Sequence, residues 1–100
     1  MQGIITENIY EIRSLCLNYH VNKLFAFGSV CTNHFTKESD IDLLISFEAM
    51  DYGDYADNYF ELADKFEELF HRRVDLVTEK SLSNPYFIKS IEKTKVMLYG

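Results

Sequence analysis

Apolar residues recur at helical spacing through residues 6–19, where Ile9, Ile12, Leu15, Cys16 and Tyr19 fall on one stripe. Thr6 stands where an N-cap belongs, although no Glu follows three residues later to complete a capping box. Residues 22–27, Asn-Lys-Leu-Phe-Ala-Phe, read as a strand that stops at Gly28. The polar stretch from Ser29 to Ser39 predicts a short helix and a loop. Residues 40–47, Asp-Ile-Asp-Leu-Leu-Ile-Ser-Phe, read as a central strand, and Glu48 to Asp54 as an acidic turn. Residues 55–71 predict a second helix, with Tyr59, Leu62, Ala63, Phe66, Leu69 and Phe70 on one face. Residues 73–78 form another strand. Ser83 or Asn84 can cap a helix that has Pro85 at its first position and runs to Lys93. Val96 to Tyr99 adds a short edge strand.

The order is α, β, short α, β, α, β, α, β. A helix between the second and third strands permits a right-handed crossover, which makes those strands parallel. The expected class is α/β (α+β): a small mixed β-sheet flanked by helices. At 100 residues the chain is expected to form a single domain over residues 1–100. A hydrophobic share of 47% is enough for a compact core. No apolar run reaches the roughly 18 residues that span a bilayer. Met1 to Asn8 lacks the basic-then-apolar pattern of a signal peptide, so a soluble, cytoplasmic protein is expected.

Net charge changes the list of partners. At −6 the surface repels a phosphate backbone, and Lys23, Lys37, Arg72, Arg73, Lys80, Lys89, Lys93 and Lys95 form no long cluster. A small molecule or a basic protein suits this charge better than a polynucleotide.

The chemistry concentrates in three aspartates. Side chains alternate along a strand, so Asp40 and Asp42 point one way while Ile41 and Leu43 point the other. Asp75, in Arg73-Val74-Asp75-Leu76-Val77, joins them if its strand lies alongside. Carboxylates set in apolar strands cost free energy and repel one another unless a cation binds them. Two Mg²⁺ ions would reverse that repulsion, and a two-metal site clamps the attacking and leaving oxygens of an in-line phosphoryl displacement. Gly28 and Ser29 end the preceding strand. Glycine leaves room for phosphates, while the serine hydroxyl and the backbone amides after it can donate to them. Ser29 can also cap a helix, and the two roles are compatible.

Plainer readings compete. An isolated Asp-x-Asp usually marks exposed strand ends, and the Asp-x-Asp of nucleotide-sugar transferases belongs to much longer chains. His20, His34 and His71 lack ligand spacing and read as surface or helix-end residues. Tyr52, Tyr55 and Tyr59 read as core and surface aromatics. Glu48, Asp51, Asp54, Asp57 and Glu61 form an acidic edge, a solvated helix start favoured by the dipole or a docking face for a basic partner. Cys16 belongs to the helix stripe. Cys31 lies near the motif without metal-ligand spacing, and no disulfide is expected.

The run GSVCTNHFTKESDIDLLISF, with RRVDLV downstream, resembles the minimal nucleotidyltransferases of the DNA polymerase β superfamily. The resemblance covers nearly the whole chain and implies a polymerase β-like palm. It implies that Gly28 and Ser29 hold the triphosphate of ATP, and that Asp40 and Asp42 bind Mg²⁺. Asp75 would complete the site and help activate the acceptor hydroxyl, which attacks the α-phosphate as pyrophosphate leaves. Many relatives carry an arginine three residues after the serine, where this chain has Thr32; Lys37, from the same loop, is the candidate to compensate as a nucleotide contact. Members of this size are similar to the antitoxin half of MNT/HEPN toxin–antitoxin pairs. That likeness implies a hetero-oligomer with a helical HEPN toxin and transfer of AMP to a toxin tyrosine. Two other readings remain: an inactive antitoxin that neutralises by binding alone, and nucleotide transfer to a small molecule of the aminoglycoside type.

Overall fold

The computed structural model describes residues 3–100. In chain order the elements are α1 (Gly3–Glu7), α2 (Ile9–Asn18), β1 (Val21–Phe27), a 3-10 turn (Gly28–Cys31) and β2 (Ile41–Phe47). There follow α3 (Tyr52–Phe70), β3 (Val74–Thr78), a second 3-10 turn (Glu79–Ser81), α4 (Pro85–Thr94) and β4 (Val96–Tyr99). The sheet is mixed, in the order β3-β2-β1-β4. β2 and β3 run parallel across the α3 crossover, whereas β1 is antiparallel to both β2 and β4.

Alternation divides the sheet into two unequal faces. Leu24, Ala26, Ile41, Leu43, Ile45, Leu76 and Leu98 pack on Ile5, Ile12, Cys16, Leu62, Phe66 and Phe70 from the first three helices. Burying side chains of that size is worth roughly 1.5–3 kcal/mol each, which makes this face the main core. Across the sheet, Phe27 and Leu44 meet Ile91 of α4, with Phe25, Val77 and Leu82 at the margin. This thinner layer leaves the N-terminal ends of β2 and β3 open.

Local contacts fix how those two ends align. α3 stops at His71, a left-handed residue (φ 55°) whose N–H donates to the Glu67 carbonyl at 2.9 Å. The Glu67 carboxylate then takes the Val74 amide at 3.0 Å, and the Arg73 carbonyl takes the Ile41 amide at 3.1 Å. At the start of α4, Asn84 Oδ1 accepts from the Tyr86 and Phe87 amides, and Pro85 fills the first position.

Two sequence expectations are corrected. The first helix is broken: Asn8 donates through Nδ2 to the Ile4 carbonyl at 2.8 Å, a local bond that competes with helix continuation. Thr6 is therefore not an N-cap; it lies inside α1 and its hydroxyl donates to the Gly3 carbonyl. The acidic turn is shorter than expected because α3 begins at Tyr52, which places Asp54 in its first turn, favourably for the helix dipole. No described helix is long and apolar enough to cross a membrane.

Candidate active site

Asp42 and Asp75 are each the second residue of their strand and are register partners in the parallel pair. Ile41 and Leu43, both fully buried, point into the main core, so the two carboxylates share the opposite face. Asp40 stands one residue before β2 and is exposed; Asp75 is also exposed, and Asp42 is half-buried. The desolvation expected of three carboxylates thus falls on one. Burial, followed by the charges of Asp75 and Asp40, pushes the Asp42 carboxyl from 3.8 up to about 6.

As the side chains stand, no three described His, Cys, Asp or Glu residues form a ready metal-ligand cluster. The close grouping is a pair, Asp42 and Asp75, with Asp40 at its margin. Its chemistry still fits a hard cation. All three donors are carboxylates, which suit Mg²⁺. The ion pairs seen among the described residues, Lys65–Glu68 and Lys95–Glu92, lie elsewhere, so no Lys or Arg among those residues forms an ion pair with Asp42.

A rim stands directly beside the pair. Phe27 is the register partner of Asp42 on β1, and Gly28 comes next. Gly28 has φ +73°, and a Cβ built there would lie 2.6 Å from Asp42 Oδ2. Its N–H donates to Thr94 Oγ1, at the end of α4, at 2.8 Å. The half-buried Ser29 makes no side-chain hydrogen bond to another described residue. Its carbonyl accepts from both the amide (2.9 Å) and the hydroxyl (3.0 Å) of Thr32. Thr32 Oγ1 in turn accepts from the His34 amide at 3.1 Å. Thr32 therefore braces the rim from within. Lys37 is exposed, and among the described residues nothing ties it to the carboxylates by hydrogen bond or ion pair.

Two further residues serve the site without a signal in the sequence. Thr94 holds Gly28 from 66 positions away. Arg72 holds the loop that leads into Asp40: Nη1 donates to the carbonyls of Thr36 (3.1 Å) and Ser39 (2.9 Å). Its guanidinium carbon lies 4.5 Å from the centroid of the Phe35 ring.

The remaining candidates are structural. Cys16 is fully buried and its thiol is pushed up to about 12 by burial; neither it nor Cys31 is in a disulfide. His20, His34 and His71 are exposed, and two of them, His20 and His71, are left-handed residues after helices. The Tyr59 hydroxyl donates to the Leu76 carbonyl, and Tyr55 packs edge-on against Phe47. The side chain of Tyr52 lies outside the described residues, as do Met1 and Gln2.

The model of the nucleotidyltransferase domain matches residues 9–98. A Methanocaldococcus jannaschii protein provisionally named a protein adenylyltransferase is 40% identical over 75 residues, covering 75% of this chain and 74% of its own length. The protein adenylyltransferase MntA of Thermococcus cleftensis is 30% identical over 84 residues, covering 84% of this chain and 79% of its own. One chain from a crystal structure of a mutant MntA–HpeT toxin–antitoxin pair superposes with a TM-score of 0.68 at 26% identity, covering 91% of this chain and 71% of that one. Matched over residues 9–98 of its 100, the chain belongs to the nucleotidyltransferase domain family.

Proposed function

We propose that this protein is a metal-dependent adenylyltransferase that moves AMP from ATP to a tyrosine hydroxyl of a HEPN-type toxin and thereby acts as its antitoxin. The observation that carries the reading is the register pairing of Asp42 with Asp75 beside a glycine whose missing side chain leaves the carboxylate accessible. Relatives named as protein adenylyltransferases support AMP as the transferred group. The superposition on one chain of an MntA–HpeT toxin–antitoxin pair supports a protein partner.

Asp40 and Asp42, with Asp75, would hold Mg²⁺, which supplies charge neutralisation at the α-phosphate and the leaving pyrophosphate. Gly28 keeps the rim flat against Asp42. Ser29 offers its hydroxyl to the triphosphate, held in place by the Thr32 bonds to its carbonyl. Asp75, exposed at the mouth, takes the proton from the acceptor hydroxyl as its oxygen bonds to the α-phosphorus. The bond from that phosphorus to the bridging oxygen breaks, and pyrophosphate carries away the electron pair. Thr32 costs the site the cation that many relatives place there, and Lys37, exposed on the same loop, replaces that charge.

The test is transfer of label from α-labelled ATP to the partner toxin in Mg²⁺. Label should appear on the toxin and vanish with Asp40→Ala or Asp42→Ala. Neutralisation that survives both substitutions would instead identify an antitoxin that works by contact alone.

A further inference from the structure

Asp40 has no ladder of its own, because β2 begins one residue later. What places it is a turn and a clamp. The Thr36 amide donates to Ser39 Oγ at 3.0 Å, the two hydroxyls lie 3.2 Å apart, and the Ser39 amide returns to the Thr36 carbonyl at 3.2 Å. Such a turn is exposed, and its hydrogen bonds alone hold it weakly.

The clamp comes from the two residues that follow α3. The Arg72 side chain grips the Ser39 carbonyl on one side of Asp40, and the Arg73 backbone carbonyl takes the Ile41 amide on the other. Arg72 also grips Thr36, while its guanidinium rests against Phe35. A planar fork can donate to carbonyls along its edge and keep its face on a ring, which an ammonium cannot do with the same geometry. The same short stretch leads into β3 and Asp75.

We propose that Arg72 is a positioning residue that fixes Asp40 relative to Asp42 and Asp75, so that the loop carboxylate is presented at the height of the strand carboxylates. The inference rests on the nucleotide-site reading above and adds a residue that acts only through Asp40.

The test is calorimetric titration of the full chain with AMP-PNP in Mg²⁺, on variants whose fold is checked by circular dichroism. Arg72→Ala should weaken binding about tenfold, in the range seen when the support of a metal ligand is removed. Arg72→Lys, which keeps the charge and preserves the fold if the alanine does not, should recover only part of that loss. In the Asp40→Asn background, Arg72→Ala should add less than about twofold, since nothing remains to be positioned. Independent, multiplicative losses in the double variant would overturn the proposal, as would full affinity in Arg72→Ala where Asp40→Asn binds weakly. Full affinity in Asp40→Asn itself would remove the nucleotide-site reading, and this proposal with it.

Discussion

A methyl group on Gly28 would lie 2.6 Å from Oδ2 of Asp42, so the rim glycine and the half-buried carboxylate occupy space that only one side chain can use. Gly28→Ala meets two penalties of different kinds. The left-handed backbone (φ +73°) costs an L-residue about 1–2 kcal/mol in stability. The contact itself is relieved by swinging the Asp42 carboxylate away, which costs the fold little but removes it from the site. A modest fall in denaturation midpoint should therefore accompany loss of Mg²⁺-dependent nucleotide binding. A variant that bound normally would show that Asp42 need not stay where it is.

Asp42 also predicts a pH dependence. Its carboxyl is raised from 3.8 to about 6, first by burial and then by Asp75 and Asp40. A raised acid favours the folded state when protonated, so its contribution is complete below about pH 4 and is lost as pH climbs through 6. Asp42→Asn stays neutral throughout. Relative to the parent it should gain about 1 kcal/mol at pH 8, discounted for screening by water, and nothing near pH 4. Urea denaturation at the two pH values checks the sign. Mg²⁺ affinity in the parent should run the other way and weaken as pH falls below 6, since protons compete for the same oxygens.

Thr94 supplies the acceptor for the Gly28 amide at 2.8 Å. Thr94→Val keeps the shape and strands that partly buried N–H, at a cost of roughly 1–2 kcal/mol. Thermal denaturation should show the loss, and nucleotide affinity should drop several-fold as the rim loosens. Unchanged affinity would mean that α4 merely covers the sheet.

Strand β2 and helix α3 are legible because each carries a clear period. Asp-Ile-Asp-Leu alternates, and Leu62, Phe66 and Phe70 return every four residues, all buried as expected. Parallel pairing of β2 and β3 follows from the α3 crossover, and with it the possibility that Asp75 joins Asp42. Their register does not follow, because it is set by Glu67 reaching the Val74 amide and by Ile41 reaching the Arg73 carbonyl. Neither contact has a sequence signature. The break at Asn8 was hidden by an apolar stripe that runs through it, and it is marked by the Asn8 side-chain bond to Ile4 and the Asn8 amide bond to Ile5. Thr94 and Arg72 were invisible for a related reason. Each acts through side-chain hydrogen bonds to backbone groups more than 30 positions away, one for Thr94 and two for Arg72, while its neighbours in sequence look like ordinary helix ends. Thr32 was legible only as a departure from a pattern, and its bonds to Ser29 and His34 emerge from the turn geometry.

The central claim is that Asp42 and Asp75 jointly hold a divalent cation and the nucleotide it carries. The direct measurement is calorimetric titration of ATP with Mg²⁺ and with EDTA, for the parent chain and for Asp75→Asn. The account predicts binding in Mg²⁺ that EDTA abolishes and that Asp75→Asn weakens by at least about tenfold. Equal affinity in the variant, or binding indifferent to EDTA, would contradict it.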